Sequence, residues 1–167
     1  SRQAGGGRRC VGRAVHGPMP NDINRDGGAA AVERALDYFT RRAPETLEPA
    51  AAKAGRFAAF NITILAHLLA SSDAPDLSGH IVMLEEVSEH HYRIDRSLCA
   101  IMSNPAMRKA AGIMLGRCSD IPENDVDFEQ DEVQIAQTWC TRAGVPFLGR
   151  ADIGHDAGNR IVPFGQT

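Results

Sequence analysis

The chain has 167 residues, 43% of them hydrophobic, a formal net charge of −3 and a sequence pI near 6.0. A chain of this length can bury about 70% of its unfolded surface, and its charge provides no broad positive field for phosphates, so we do not expect nucleic acid as a partner. No run approaches the roughly 18 apolar residues of a membrane span, and no leader pattern is visible, so the sequence predicts neither membrane spanning nor secretion.

The four cysteines, Cys10, Cys99, Cys118 and Cys140, lie far apart in the sequence. None belongs to the C-x-x-C pair that zinc sites and redox motifs commonly use. Isolated cysteines of this kind are typical of reduced thiols in the cytoplasm. We therefore predict a cytoplasmic protein that uses no metal and no other cofactor.

The first predicted elements are a strand and a helix. The strand covers Cys10 to Val15 and ends in the run His16-Gly17-Pro18-Met19-Pro20, whose two prolines favour an extended backbone. A helix starts after Asp26 and ends near Arg42. The apolar residues predicted for its inner face are Val32, Leu36 and Phe39. Residues 44–56 lack clear periodicity, so we predict a linker or irregular strand there and place the main domain boundary between residues 45 and 46.

Strands and helices alternate in the rest of the chain. Asn61 is a suitable cap for a helix whose inner face is formed by Leu65, Leu68 and Leu69. Apolar periodicity predicts two more helices, at residues 92–101 and 133–140. Short apolar runs predict buried strands at residues 81–84, 112–116 and 145–148, and a short closing strand at 160–163. This alternation predicts an α/β fold built in layers.

Glu85 and His155 are the candidate catalytic residues. Glu85 follows the last apolar residue of the strand at 81–84, and His155 comes shortly after the strand at 145–148. Ligands of layered α/β domains gather at the carboxyl ends of strands, so the two side chains can meet there. A carboxylate that orients an imidazole is two thirds of a hydrolytic triad, whose third member is a nucleophile. The spacing alone does not establish the pair.

Five motifs, in the same order, resemble those of the LD-carboxypeptidases, serine peptidases that include the microcin C immunity hydrolases. The central motif is the run Gly79-His80-Ile81-Val82-Met83-Leu84-Glu85-Glu86-Val87-Ser88-Glu89, followed by Tyr92-Arg93-Ile94-Asp95-Arg96. The other four are His16-Gly17-Pro18-Met19, the helix start at Asn61, Leu115-Gly116 and Gly154-His155. The chain thus looks like a member of this family over nearly its whole length.

The resemblance implies a division of the chain into two parts. Residues 1–45 would be the last strand and helix of a truncated Rossmann-like N-terminal domain, and residues 46–167 the layered C-terminal domain. In the family, a Ser of the N-terminal domain is completed by a Glu and a His of the C-terminal domain, and these roles fall on Glu85 and His155. The family nucleophile lies in a G-x-S-D turn upstream of H-G-P-M, and we expect that turn to be absent here. Ser119, in Cys118-Ser119-Asp120, imitates it only superficially.

The resemblance also implies the function. It predicts cleavage of the L,D-peptide bond before the terminal D-alanine of murein tetrapeptides, in cytoplasmic peptidoglycan recycling, by a homodimer in the full-length form. The isolated chain is expected to be inactive, since loss of a triad serine costs about a million-fold in turnover. Asn61 and Arg93 are the predicted substrate-binding residues. For Arg93 the choice is between an ion pair on a helix surface and a bidentate contact with a substrate carboxylate.

Two alternatives remain at this point. Glu86 and Glu89, beside His90 and His91, offer ligand types that bind divalent metals, so residues 85–91 could serve a metal-dependent hydrolase. The chain could also be a binding module that kept the fold and lost the reaction. The expected partner is a small peptide, the murein tetrapeptide, and neither nucleic acid nor a membrane is expected.

Overall fold

The computed structural model describes residues 14–123 and 125–166. Most of the strand predicted at Cys10 to Val15 therefore lies outside the described residues. The described part of this segment contains a short strand, β1 (Val15–His16). It is followed by a 3-10 turn at Pro20–Asn24 and by helix α1 (Gly28–Arg41).

A five-stranded sheet is the centre of the fold. Its strands are β2 (Arg56–Asn61), β3 (Ile81–Val87), β4 (Gly112–Ser119), β5 (Phe147–Arg150) and β7 (Gly165–Gln166). They lie in the order β5-β4-β3-β2-β7; β2 to β5 are parallel, and β7 runs antiparallel to β2. The helices between them are α2 (Ile62–Leu69), α3 (His91–Ser103) and α4 (Glu132–Ala143). The predicted α/β fold class is confirmed. β6 (Val162–Pro163) pairs separately with β1.

Both faces of the sheet are covered. The face built from Ala58, Val82 and Leu84 packs with the inner residues of α2, α3 and α4. The opposite face, with Phe57, Ala59, Met83 and Met114, packs with Ala51, Ala151, Ile153 and Val162. Burial on both faces explains the continuous apolar runs of these parallel strands. The loop that contains Ile153 is thereby fixed against the sheet.

The helix ends follow local chemistry. Asn61 caps α2, because its side-chain oxygen accepts a hydrogen bond from the Ile64 amide at 3.1 Å. Asp131 and Gln134 form a capping box at the start of α4. Gly144 ends α4 with a φ of 69°, a left-handed conformation that glycine adopts without strain. The Asn61 cap predicted from the sequence is thus present at the start of α2.

Two strands differ from the sequence prediction. β2 begins where the predicted linker or irregular strand ends, at residue 56. No strand was predicted over the rest of β2, because its residues are mostly alanine and phenylalanine without an alternating pattern. β3 continues to Val87, so Glu85 and Glu86 lie inside the strand and not after it. Both carboxylates are nevertheless almost fully buried. An apolar run underestimates the length of a strand when the strand continues into buried polar residues.

The inner face of α1 was predicted wrongly. Leu36 and Phe39 are 57% and 58% exposed, whereas Ala31 and Tyr38 are buried. The helix starts so close to the preceding 3-10 turn that a Cβ on Gly28 would lie 1.8 Å from the carbonyl oxygen of Asp22. Small residues permit this approach, and hydrophobic periodicity favours large ones. In the described part of the chain, no helix combines the length and apolar character needed to cross a membrane.

Candidate active site

The site lies at the carboxyl ends of the parallel strands. In the ladder of β2 and β3, Asn61 is the direct partner of Glu85. On the other side, Leu84 pairs with Leu115 and Glu86 pairs with Cys118, so the register shifts at Glu85. Glu85 therefore lies between the end of β2 and a bulge of β4. This is the carboxyl end of the sheet, where ligands of α/β folds bind.

His155 reaches this edge from the loop between β5 and β6. Ile153 is fully buried in the core and anchors the loop, while the His155 side chain is 31% exposed. Nδ1 of His155 lies 3.9 Å from Oε2 of Glu85. A hydrogen bond needs about 2.7 to 3.2 Å, so the two groups are neighbours that require roughly 1 Å of approach. Catalytic pairs are often this loose in unliganded structures.

The Glu85 carboxyl group is in an unusual environment. Oε2 is buried and has no hydrogen-bond partner among the described residues. Burial, and then the nearby charge of Glu86, raise the pKa of Glu85 to about 7, against the opposing effects of an Asn61 hydrogen bond and the Arg117 charge. Near neutral pH this group is therefore divided between its protonated and ionised forms, and a perturbed pKa of this kind in a cleft marks a candidate functional residue.

Glu86 has a different role from its neighbour. Its Oε2 accepts from the Thr63 amide at 3.0 Å and the Thr63 hydroxyl at 2.8 Å, and its Oε1 accepts from the Val87 amide at 3.0 Å and from Asn61. These bonds satisfy donors at the N-terminus of α2. Glu86 is therefore a structural carboxylate that fixes Asn61 and the helix start.

The predicted metal ligands do not converge. Glu86 is fully engaged, Glu89 faces Arg93 at 3.5 Å, and His91 lies 3.9 Å from Glu132. Over residues 14–123 and 125–166, no three His, Cys, Asp or Glu side chains are arranged to hold a metal ion. The donor geometry therefore does not support the metal-dependent alternative at residues 85–91.

A cleft of about 270 Å³ surrounds the Glu85 and His155 side chains. Its lining residues are Val15, His16, Gly17, Met19, Asp22, Asn61, Glu85, Gly154, His155 and Asn159. The turn at His16 thus lies at the cleft. Burial lowers the pKa of His16, and the neighbouring Asn159 side chain partly offsets this effect.

No serine, threonine or cysteine of the described residues is among those that line the cleft. Ser119 pairs with Val87 at the end of β4, and its carbonyl oxygen accepts from the Ser88 amide at 2.9 Å. Ser119 is therefore not a lining residue of the cleft. The structure likewise does not bring Arg93 there: its side chain is 56% exposed on α3 and pairs with Glu89. Asn61, in contrast, lines the cleft.

Sequence reasoning missed the residues that hold the His155 loop. Arg25 donates to the carbonyl oxygen of His155, and Arg34 donates to those of Ala157 and Asn159 at 2.9 and 3.0 Å. The buried Glu48 accepts from the Asp152 amide at 3.3 Å. Arg117 also binds this loop, through Asp152 and Asp156. These charges are far apart in the sequence and form no motif, although a charged residue at the end of an apolar run was an available signal for Arg117.

Comparison with known families decides the assignment. Residues 54–167 match the family model of the LD-carboxypeptidase C-terminal domain. The chain belongs to the LD-carboxypeptidase family. The predicted family resemblance is confirmed, and the matched segment includes Asn61, Glu85 and His155.

Named relatives agree with the LD-carboxypeptidase assignment. The chain is 33% identical over 110 residues to the murein tetrapeptide carboxypeptidase of Pseudomonas aeruginosa, covering 64% of this chain and 34% of that protein. It is 28% identical over 165 residues to a Bacillus subtilis protein named as a probable murein peptide carboxypeptidase, covering 90% of this chain and 50% of that protein. The chain thus spans at most half the length of these two relatives.

Solved structures of LD-carboxypeptidase relatives share the fold. The muramoyltetrapeptide carboxypeptidase of Oxalobacter formigenes superposes with a TM-score of 0.74 at 24% identity, covering 92% of this chain and 55% of that one. The microcin C7 self-immunity protein MccF, as a mutant in complex with adenosine monophosphate, gives 0.70 at 15% identity, covering 92% and 56%. At these identities the likeness establishes the architecture.

Proposed function

We propose that this chain supplies the acid and the base of a serine LD-carboxypeptidase. The observation behind the proposal is the pair itself, with His155 Nδ1 3.9 Å from Glu85 Oε2 in one cleft. Because Nδ1 faces the carboxyl group, Nε2 is left to take the proton of a nucleophilic hydroxyl. Glu85 then stabilises the imidazolium that forms, as the acid of a triad does.

The nucleophile comes from outside the described residues in this proposal. Since no described serine, threonine or cysteine lines the cleft, we propose that an N-terminal domain brings the serine to His155. Residues 1–45 would be the end of that domain, with the boundary at 45 and 46. The isolated chain would then bind and orient a substrate without cleaving it.

The proposed substrate is a murein tetrapeptide. Support comes from the family and from the Pseudomonas and Bacillus relatives, whose names give murein peptides as substrates. The bond cleaved would be the one before the terminal D-alanine, and the protonated His155 would return its proton to the leaving amine. We place the reaction in the cytoplasm, where murein peptides are recycled, and expect the full-length enzyme to be a homodimer without a cofactor.

The substrate-binding prediction differs for the two residues. Asn61 lines the cleft, but its amide already caps α2 and donates to Glu86. We propose that the Asn61 amide contacts substrate where it lines the cleft, while its bonds to Ile64 and Glu86 fix the acidic edge. Arg93 lies on the surface of α3, outside the lining of the cleft. Its exposed ion pair with Glu89 favours a role as a surface ion pair over a contact with substrate.

The test is release of D-alanine from a murein tetrapeptide. It compares the chain alone with a fusion to the half of the Bacillus subtilis relative that this chain does not match, after circular dichroism shows that both are folded. We expect turnover by the fusion only, and no loss of turnover with a chelator. Turnover by the chain alone would contradict the external nucleophile, and a folded but inactive fusion would contradict the activity. Inhibition by the chelator would favour a metal-dependent hydrolase.

A further inference from the structure

Arg117 lies at an irregular point of the sheet. Two residues of β4, Gly116 and Arg117, face the single residue Glu85 of β3, because Leu84 pairs with Leu115 and Glu86 with Cys118. A bulge of this kind redirects a side chain. Here it accompanies a charged side chain in a strand whose first five residues are buried.

The Arg117 side chain binds both aspartates that flank His155. Its Nη1 donates to Oδ1 of Asp152 at 2.6 Å, and its Nε and Nη2 donate to the two oxygens of Asp156, the latter at 3.1 Å. The second contact is a bidentate pair, the geometry for which a guanidinium is suited and an ammonium is not. The Arg117 amide also donates to the Ile153 carbonyl oxygen at 2.8 Å. One residue therefore holds the loop on both sides of His155.

These contacts also decide which carboxylate faces the imidazole. Asp156 is the next residue after His155, and Asp152 is three residues before it. Unpaired, either carboxylate could attract a protonated imidazole away from Glu85. With both bound to Arg117, Glu85 is the carboxylate within 4 Å of His155 among the described residues.

We propose that Arg117 is a positioning residue of the active site, which keeps His155 directed at Glu85 by binding Asp152 and Asp156. The role rests on the proposed function of the Glu85 and His155 pair. Arg117 contacts neither reacting group with its side chain, so it acts through the loop and through charge.

The charges around Glu85 give a readout that a purely structural role would not change. Glu86 and Asp156 raise the pKa of Glu85, and Arg117 and the Asn61 hydrogen bond lower it. His155 lies beside it, and the titratable side chains of His16 and Asp22 line the same cleft. Removing the Arg117 charge is thus expected to raise the pKa of Glu85 above about 7. Removing the Asp156 charge as well should bring it down again.

The experiment uses the 167-residue chain and three variants at Arg117. Arg117→Met removes the charge and the bidentate hydrogen bonds. Arg117→Lys keeps the charge without the bidentate geometry, and Arg117→Met with Asp156→Asn removes both charges. Arg160→Gln is the matched control, because Arg160 binds Asp152 at 3.2 Å and the Glu45 carbonyl oxygen at 2.8 Å. The measurements are the carboxyl ¹³C titration of Glu85 and amide hydrogen exchange at residues 153–156.

We expect Arg117→Met to raise the pKa of Glu85 and to speed exchange in the loop by about tenfold or more. Arg117→Lys should restore the pKa but not the slow exchange, and the double variant should restore the pKa. Arg160→Gln should change neither quantity.

The proposal is overturned if folded Arg117→Met leaves both the pKa of Glu85 and the exchange rate unchanged, or if Arg160→Gln changes them as much as Arg117→Met does. Should Arg117→Met not fold, the Lys variant decides: slow exchange like that of the unchanged chain overturns the proposal. None of these readouts needs turnover, so an inactive fusion would contradict only the proposed function.

Discussion

Asn61 and Glu85 are direct partners across the parallel ladder of β2 and β3. The same Asn61 caps α2 and donates to Glu86. The residue that caps α2 is therefore also the strand neighbour of Glu85. Stability and the proposed chemistry are therefore linked at this point.

Glu85→Gln is expected to stabilise the chain at high pH. The pKa of Glu85 is raised from 4.5 to about 7, mainly by burial, so the folded chain keeps a proton that the unfolded chain releases between these values. The free energy of unfolding therefore falls as pH rises from about 4.5 to about 7, by about 3 kcal/mol in total. Urea unfolding at pH 5 and pH 8 should show a variant that is more stable chiefly at pH 8.

Glu86→Gln is the matched control and should have the opposite effect. An amide nitrogen cannot accept hydrogen bonds from Thr63 or Val87, so we expect a loss of about 1 to 3 kcal/mol at pH 8. If both variants changed the free energy of unfolding in the same direction, the assignment of separate roles to the two carboxylates would fail.

Two substitutions of Asn61 separate its cap from its amide donors. Asn61→Asp keeps an oxygen that can accept from Ile64, but adds a third carboxylate beside Glu85 and Glu86, so the pKa of Glu85 should rise further. Asn61→Ala loses the cap, at a cost of about 1 kcal/mol. The checks are thermal unfolding and the ¹³C titration of Glu85. If Glu85 titrates identically in Asn61→Asp and in the unchanged chain, the proximity of residue 61 to the Glu85 carboxyl group would be contradicted.

Gly116→Ala is expected to displace the His155 loop. A Cβ at this position would lie 2.6 Å from Cγ1 of Ile153 and 2.7 Å from its carbonyl oxygen. Overpacking of this kind costs about 1 to 3 kcal/mol and shifts backbone, so amide exchange at Gly154 should become faster.

Gly79→Ala is the control for general destabilisation. Nothing lies within 4 Å of its Cβ, but its φ is +70°, so it should cost about 1 to 2 kcal/mol of backbone strain. The His155 loop should keep its slow exchange in this variant. Equal effects of the two variants on Gly154 would show that Gly116 has no special relation to the loop.

The sequence was sufficient for the order of the helices and most strands, because apolar runs and the Asn61 cap are local signals. It also indicated that Glu85 and His155 could meet, since carboxyl ends of parallel strands share an edge. It was insufficient for β2, whose alanines have no pattern, and for α1, where close packing selects small residues over Leu36 and Phe39. The Arg117 network was not visible either, because its partners are 35 and 39 residues away and are joined only by the fold.

The most direct test of the central claim is a double-mutant cycle on the active fusion. Glu85→Gln and His155→Ala are compared singly and together for D-alanine release from a murein tetrapeptide, with folding checked for each. We expect each single change to lower kcat/KM by about a hundredfold or more, and the double variant to be no worse than the slower single one, because paired groups act as a unit. Losses that multiply in the double variant, or a Glu85→Gln fusion as fast as the unchanged one, would contradict the pair.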